Sequence, residues 1–155
     1  MKKILLLIPI WLLLLGCTSA PEENTMLEIV EVEIDLPSNV NEGETLHIRS
    51  HITHGEENVE DAQEVQLEIW NVEEGKEASE LLDAEHVGDG NYEGIYSFGK
   101  KGIYRVQSHV TARDMHVMPT KQVVVGDLTD EEIETILENE QTVGEGNHGS
   151  NGSHH

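Results

Sequence analysis

Cysteine occurs once in the 155 residues, at Cys17. A single thiol can form no internal disulfide and no thiolate metal cage, so a folded domain must be held by its core alone. Basic residues are scarce as well: nine Lys and Arg stand against 31 Asp and Glu, a formal net charge of -22. Phosphate backbones are met by basic patches, so nucleic acid is excluded as a partner. Such an acid excess keeps a surface soluble and attracts cations without choosing among them. The motifs of common catalysts are also missing. There is no Gly-x-Ser-x-Gly, no His-Glu-x-x-His and no phosphate loop, so no enzymatic activity is expected. Carboxylates are so abundant that a pair of them carries no information.

Long apolar runs are limited to Ile4–Leu15, short of the ~20 residues a spanning helix needs. Lys2 and Lys3 precede this run and small residues follow it, which is the order of a secretory leader. Leu14-Leu15-Gly16-Cys17 resembles a bacterial lipoprotein box. That resemblance implies a signal peptide over residues 1–16, a lipid on Cys17 and a chain anchored to the outer face of the cell membrane. Residues 17–26 then form a linker, and the compartment is an oxidising one.

From Leu27 the pattern becomes alternation. Val30, Val32, Ile34 and Leu36 interleave with acids, the period of a half-buried strand. Further strands are predicted at Thr45–Ile52, Val65–Trp70, Leu82–His86, Tyr92–Phe98, Tyr104–Ala112 and Gln122–Val125. Gly88-Asp89-Gly90-Asn91 is a strong turn signal. About seven antiparallel strands over residues 27–126 predict an all-β, immunoglobulin-like sandwich, with a small closed barrel as the other architecture. Thr129-Asp130-Glu131-Glu132 carries a capping-box pattern, so residues 127–140 are expected to hold a short acidic helix ending near Asn139. Residues 141–155, Gly-rich and bearing His148, His154 and His155, are expected to be a disordered tail.

The chemistry-bearing stretch is Ser108–Pro119, with His109, Met115, His116 and Met118. Imidazole nitrogen together with thioether sulfur suits copper better than hard cations, and sulfur favours Cu(I). Zinc is the rival metal, because histidine binds it readily. In a sandwich of antiparallel strands, alternate connections share a pole. Five of the domain's six histidines fall at one such pole: His51, His54, His86, His109 and His116. The predicted ligands are His86, His109, His116 and Met118, with Met115 also a candidate and His51 and His54 the weaker members. In extended chain His116 and Met118 point together and Met115 points away. Pro119 holds Met118 extended.

Gly102–Pro119, Ala84–Tyr92, and Asp61-Ala62 ahead of Glu68-Ile69-Trp70 together resemble the YtkA-like domain family. These are small extracytoplasmic β-sandwich proteins, often lipoproteins of Gram-positive bacteria. The resemblance spans about Leu27 to Gly126. It implies an immunoglobulin-like fold and a link to copper handling, with delivery to respiratory oxidases and a metal-receiving protein as partner. Ala78-Ser79-Glu80-Leu81-Leu82 departs from the family pattern, which tends to place His or Met there; this implies a weaker or shared site. The competing expectation is a non-catalytic immunoglobulin-like interaction or spacer module on the cell surface.

Overall fold

The computed structural model describes residues 28–146. The leader 1–16, Cys17, the linker 17–26 and the tail from residue 147 onward lie outside the described residues. Among those described, eleven strands form two sheets. The first sheet contains β1 (Val30–Asp35), β3 (Thr45–His54), β8 (Asn91–Ser97) and β7 (Glu85–Gly88), in that order, with β4 (Glu57–Asn58) paired to β3. The second runs β2 (Asn39–Val40), β11 (Thr120–Val125), β9 (Gly102–Ala112), β5 (Glu64–Asn71) and β6 (Glu80–Asp83), with β10 (Met115–Val117) paired to β9. All pairings are antiparallel except β2 with β11. This order, with four strands facing the central β5–β9–β11 set, is the immunoglobulin arrangement.

Alternation dictates the sandwich. Ile48 and Ile52 of β3, Leu67 and Ile69 of β5, Val106 and Val110 of β9, and Val123 and Val125 of β11 are all buried. Each is two residues from an inward neighbour, so one face of each strand is spent on the core. The chain has no inter-sheet disulfide. In its place Ser50 of β3 and Ser108 of β9, both fully buried, share a hydrogen bond of 2.7 Å across the two sheets. A mutually satisfied hydroxyl pair avoids the cost of burying either alone. At the entry to β9, the Tyr104 hydroxyl donates to the Lys100 carbonyl at 3.1 Å, the tyrosine corner of this architecture. Its ring stands edge-on to Phe98, 5.2 Å between centroids.

Three features differ from the sequence-based expectation. The predicted strand Leu82–His86 is two strands: the chain crosses from the second sheet to the first at Ala84, between β6 and β7. Such corners let one segment serve both layers. The stretch after β9, left without a strand between Tyr104–Ala112 and Gln122–Val125, forms the hairpin strand β10, because Arg113 and Asp114 adopt φ of 51° and 58°. Positive φ at both central positions is what a tight two-residue hairpin turn needs. Finally, the helix α1 (Asp130–Gly146) continues past Asn139, so residues 141–146, expected in the disordered tail, are helical. Its capping box forms as the sequence predicts: Thr129 N–H donates to Glu132 at 2.8 Å and Glu132 N–H to the Thr129 hydroxyl at 3.3 Å. The backbone bond from Thr129 is the main reason the Glu132 carboxyl titrates below its ordinary range. No described helix is long and apolar enough to cross a membrane.

Candidate functional site

The pole predicted from connectivity exists. The end of β3, the β7–β8 turn at Asp89-Gly90 and the β9–β10 turn at Arg113-Asp114 are tied together. The Ile52 N–H donates to the Gly90 carbonyl at 2.8 Å, the Gly90 N–H donates to Glu60 at 2.8 Å, and Arg113 pairs with Asp61 at 2.8 Å. Sharing a pole does not make side chains converge, however, because each strand also has two faces.

His109 and His116 do converge. In the β9–β10 hairpin His116 lies opposite Thr111, two residues from His109 on the same face of β9. Their rings are 6.1 Å apart between centroids. Met118 joins them by register. The pairs Val117 with Val110 and Thr120 with Gln107 belong to one continuous alignment, which places Met118 across from His109. Met118 is exposed, so its thioether sits on the open outer face of the second sheet.

Hydrogen bonds fix how the two rings present themselves. Nε2–H of His109 donates to Glu68 at 2.8 Å, leaving Nδ1 as the basic nitrogen. Glu68 comes from the adjacent β5, and Ser79 donates to it at 2.7 Å while Lys76 pairs with it at 3.1 Å. Partial burial pushes the Glu68 carboxyl up, but the bonds from Ser79, His109 and Lys76 outweigh it and hold the group below its usual range. A carboxylate behind an imidazole sets the ring's tautomer and orientation and raises its basicity, as is common behind metal-binding histidines. His116 meets the Thr111 hydroxyl through Nδ1 at 3.0 Å, so Nε2 is the nitrogen on its other side. An ion bound to a ring nitrogen at about 2.0–2.1 Å lies roughly 3 Å from the ring centroid, so two rings at this spacing can flank one ion.

The remaining predicted ligands are placed elsewhere. Met115 pairs with the buried Ala112 and packs against the core on the opposite face of the hairpin; there it fills an irregular gap, a task suited to its flexible chain. His86 is on the first sheet, across from buried Tyr92, with 4.8 Å between ring centroids. Its Nε2 is 2.8 Å from Glu60. Of the predicted set, the structure thus brings His109 and His116 together with Met118 across from His109 by register, and places His86 and Met115 elsewhere. Of the weaker members, His51 donates to Asn58 at 3.2 Å and His54 to the Glu28 carbonyl at 3.2 Å. Both lie on the first sheet. Among the described residues, no three His, Cys, Asp or Glu side chains are gathered so as to hold a metal ion. Glu68 and Thr111, which orient the rings, were not predicted. They lie on β5 and β9 in the polar phase, and only the strand pairing shows that they back the histidines.

No curated protein matches the sequence. Among solved structures, superoxide reductase (neelaredoxin) from Ignicoccus hospitalis is 14% identical with a TM-score of 0.39, over 62% of this chain and 79% of that one. A family 76 glycoside hydrolase from a bovine Bacteroides thetaiotaomicron strain is 12% identical with a TM-score of 0.39, over 63% of this chain and 20% of the enzyme. Neither carries an argument about function. The sequence model of the YtkA-like family matches residues 26–109. The match ends at His109, so the hairpin bearing Met115, His116 and Met118 lies beyond it. As the matched span is more than half of the chain, this protein belongs to the YtkA-like family.

Proposed function

We propose that this protein is a lipid-anchored, extracytoplasmic copper carrier without catalytic activity, which holds one Cu(I) ion between His109, His116 and Met118 and passes it to a receiving protein in metalloenzyme assembly. The observation that supports this reading is the hairpin register, which brings the His109 and His116 rings to 6.1 Å and continues to Met118 across from His109. Neutral nitrogen and soft sulfur suit Cu(I), whereas zinc gains little from methionine. A site on an open sheet face, with no thiolate to grip the ion, suits a protein that must release its cargo. His109 binds through Nδ1 and His116 through Nε2. Glu68 orients His109, and the acidic surface raises the local cation concentration without choosing the metal.

Titration of the full-length chain with Cu(I) under reducing conditions, against a competing chelator, tests the proposal. One tight equivalent is expected, weakened at least ~100-fold when His109 and His116 are both replaced by Ala, because losing even an outer partner of a ligand costs about 10–100-fold. Many loose equivalents, unchanged by the double substitution, would mean that the acidic surface alone collects metal. The immunoglobulin-like interaction module would then be the better account. Tighter binding of Zn(II) than Cu(I) would reassign the metal. The anchor is tested separately: Cys17→Ala should leave the membrane fraction, and its retention there would sink the lipid assignment.

A further inference from the structure

The second sheet ends on an open edge at β6, which has only β5 beside it. Sheet edges carry unpaired N–H and C=O groups that invite another strand, and proteins blunt them with bulges, very short strands or cover. Three other edges of this fold are blunted in these ways. β7 has a register irregularity between His86 and Gly88, β2 is two residues long, and β1 packs against β9 and β10. β6 is different. Its ladder places Leu81 opposite Glu68 and Asp83 opposite Gln66, and the Ala84 N–H donates to the Val65 carbonyl at 2.9 Å. Backbone groups alternate sides along a strand, so Leu82 and Ala84 face β5. Leu81 and Asp83 therefore turn their N–H and C=O outward, and neither makes a further backbone hydrogen bond among the described residues.

The side chains along this edge share one character. Leu81 is 56% exposed, a large apolar group left open on the outer face of the sheet. Asp83 stands two residues away on the same face, and Glu77 and Glu85 flank the strand, all exposed. The nearby Lys76 is taken up by Glu68 at 3.1 Å and lies over the Trp70 ring at 5.1 Å. The edge thus offers an apolar side chain next to a carboxylate, in a field of negative charge. A second copy of the chain would bring the same acids and a formal charge of -22 to it. Like charges across a strand pair are destabilising, whereas a Lys or Arg opposite Asp83 gains. Position ties the edge to the histidines. Asp83, Gln66 and His109 form one row across β6, β5 and β9. A strand added beyond β6 would lie about 14 Å from His109, at ~4.8 Å per strand.

We propose that β6 is the docking edge for a second protein, which adds an extended segment antiparallel to it as a further strand of the second sheet. Read from its N-terminus, that segment carries a basic residue, any residue, then an apolar residue. The base meets Asp83 and the apolar side chain meets Leu81. Main-chain hydrogen bonds to Leu81 and Asp83 hold the segment, and the alternate side chains select it. That this partner receives the ion rests on the copper reading above; the docking itself does not.

The probe is a synthetic peptide of repeating Lys-Thr-Val-Thr sequence, added to the full-length chain, with amide chemical shifts and hydrogen exchange as the readout. The Leu81 and Asp83 amides should become protected on binding. Leu81→Pro should weaken binding about tenfold or more, because it removes a hydrogen bond to the added strand. It should keep the fold, since the N–H it removes faces away from β5 and proline is tolerated on such an edge. Asp83→Lys leaves the backbone alone and should weaken binding up to about fivefold, the range of an exposed ion pair. The peptide N-methylated at its Lys and Val amides should not bind, and neither should the peptide with Glu in place of Lys. His109→Ala/His116→Ala should bind the peptide as wild type does, so failure of the edge and failure of the copper site are told apart. Protection that spares Leu81 and Asp83, or binding that survives both N-methylation and Asp83→Lys, would overturn the docking edge. A concentration-dependent dimer of the free chain that Leu81→Pro dissolves would give the edge to a second copy and overturn the basic partner.

Discussion

Two hairpins sit side by side at one pole of the sandwich and differ in a way that decides the chemistry. The β7–β8 hairpin turns through Asp89-Gly90 with φ of 52° and 70°, and the β9–β10 hairpin through Arg113-Asp114 with φ of 51° and 58°. The turns are of one kind, and each hairpin carries a histidine. His86 pairs with Tyr92, whose side chain is in the core, and its imidazole, exposed on the edge strand β7, lies against Tyr92 and Glu60. His116 pairs with Thr111 and so stands on the outer face beside His109. The period of a strand is two residues, so a single step of register moves a side chain from a buried partner to an open face. Position along the chain settles which end of the fold a histidine reaches. Pairing parity settles what it can do there.

The largest effect that separates the hairpins is metal binding. Replacing His109 and His116 should lower Cu(I) affinity at least ~100-fold, about 2.7 kcal/mol, whereas His86→Ala should leave it within a factor of two or so. Competition titration reads both, and equal losses from the two hairpins would erase the distinction.

Next in size is the turn itself. Gly90 has φ of 70°, and a Cβ added there would lie 2.7 Å from the Ile52 carbonyl oxygen. Left-handed backbone alone costs an L-residue about 1–2 kcal/mol, and the collision adds to it, so Gly90→Ala should destabilise the fold by ~3 kcal/mol in denaturant unfolding. The other turn should respond in the opposite sense. Asp114 already occupies a left-handed position without the help of glycine, so Asp114→Gly should raise stability by less than about 1 kcal/mol, because relief of strain is partly offset by the entropy of the unfolded chain.

The smallest effect concerns the outer face of the first sheet, where hydrogen bonds from His47, then Arg49, hold the Glu93 carboxyl below its ordinary range. A carboxylate whose folded pKa is depressed contributes stability above its unfolded pKa, and the contribution is lost as pH falls through the folded value. Glu93→Gln should therefore flatten the acid side of the Tm-versus-pH profile and leave copper binding unchanged. An unaltered acid limb would show that the pair is idle.

Much of this molecule could be read from the order of its residues. Inward rows such as Ile48-x-Ser50-x-Ile52 and Tyr104-x-Val106-x-Ser108-x-Val110 are local properties, because alternation needs no knowledge of the partner strand. So are the Asp89-Gly90 turn, with its glycine, and the Thr129–Glu132 capping box. The opposed directions of Met115 and His116 were legible for the same reason. The crossing at Ala84 was not, since both halves of that segment alternate alike and only the packing of two sheets chooses which half each sheet takes. The Arg113-Asp114 hairpin was hidden because Arg gives no signal of positive φ and Asp, without a following glycine, only a weak one; the ladder it closes and the Asp61 contact hold the turn there. The site lies in this second category. The sequence determined by itself that histidine and methionine occur near the pole and which of them share a face of their own strand. Only the tertiary structure decided that His109 and His116 meet, with Met118 across from His109, while His86 goes to Tyr92, because contact between strands depends on register, and register is settled by the whole sheet at once.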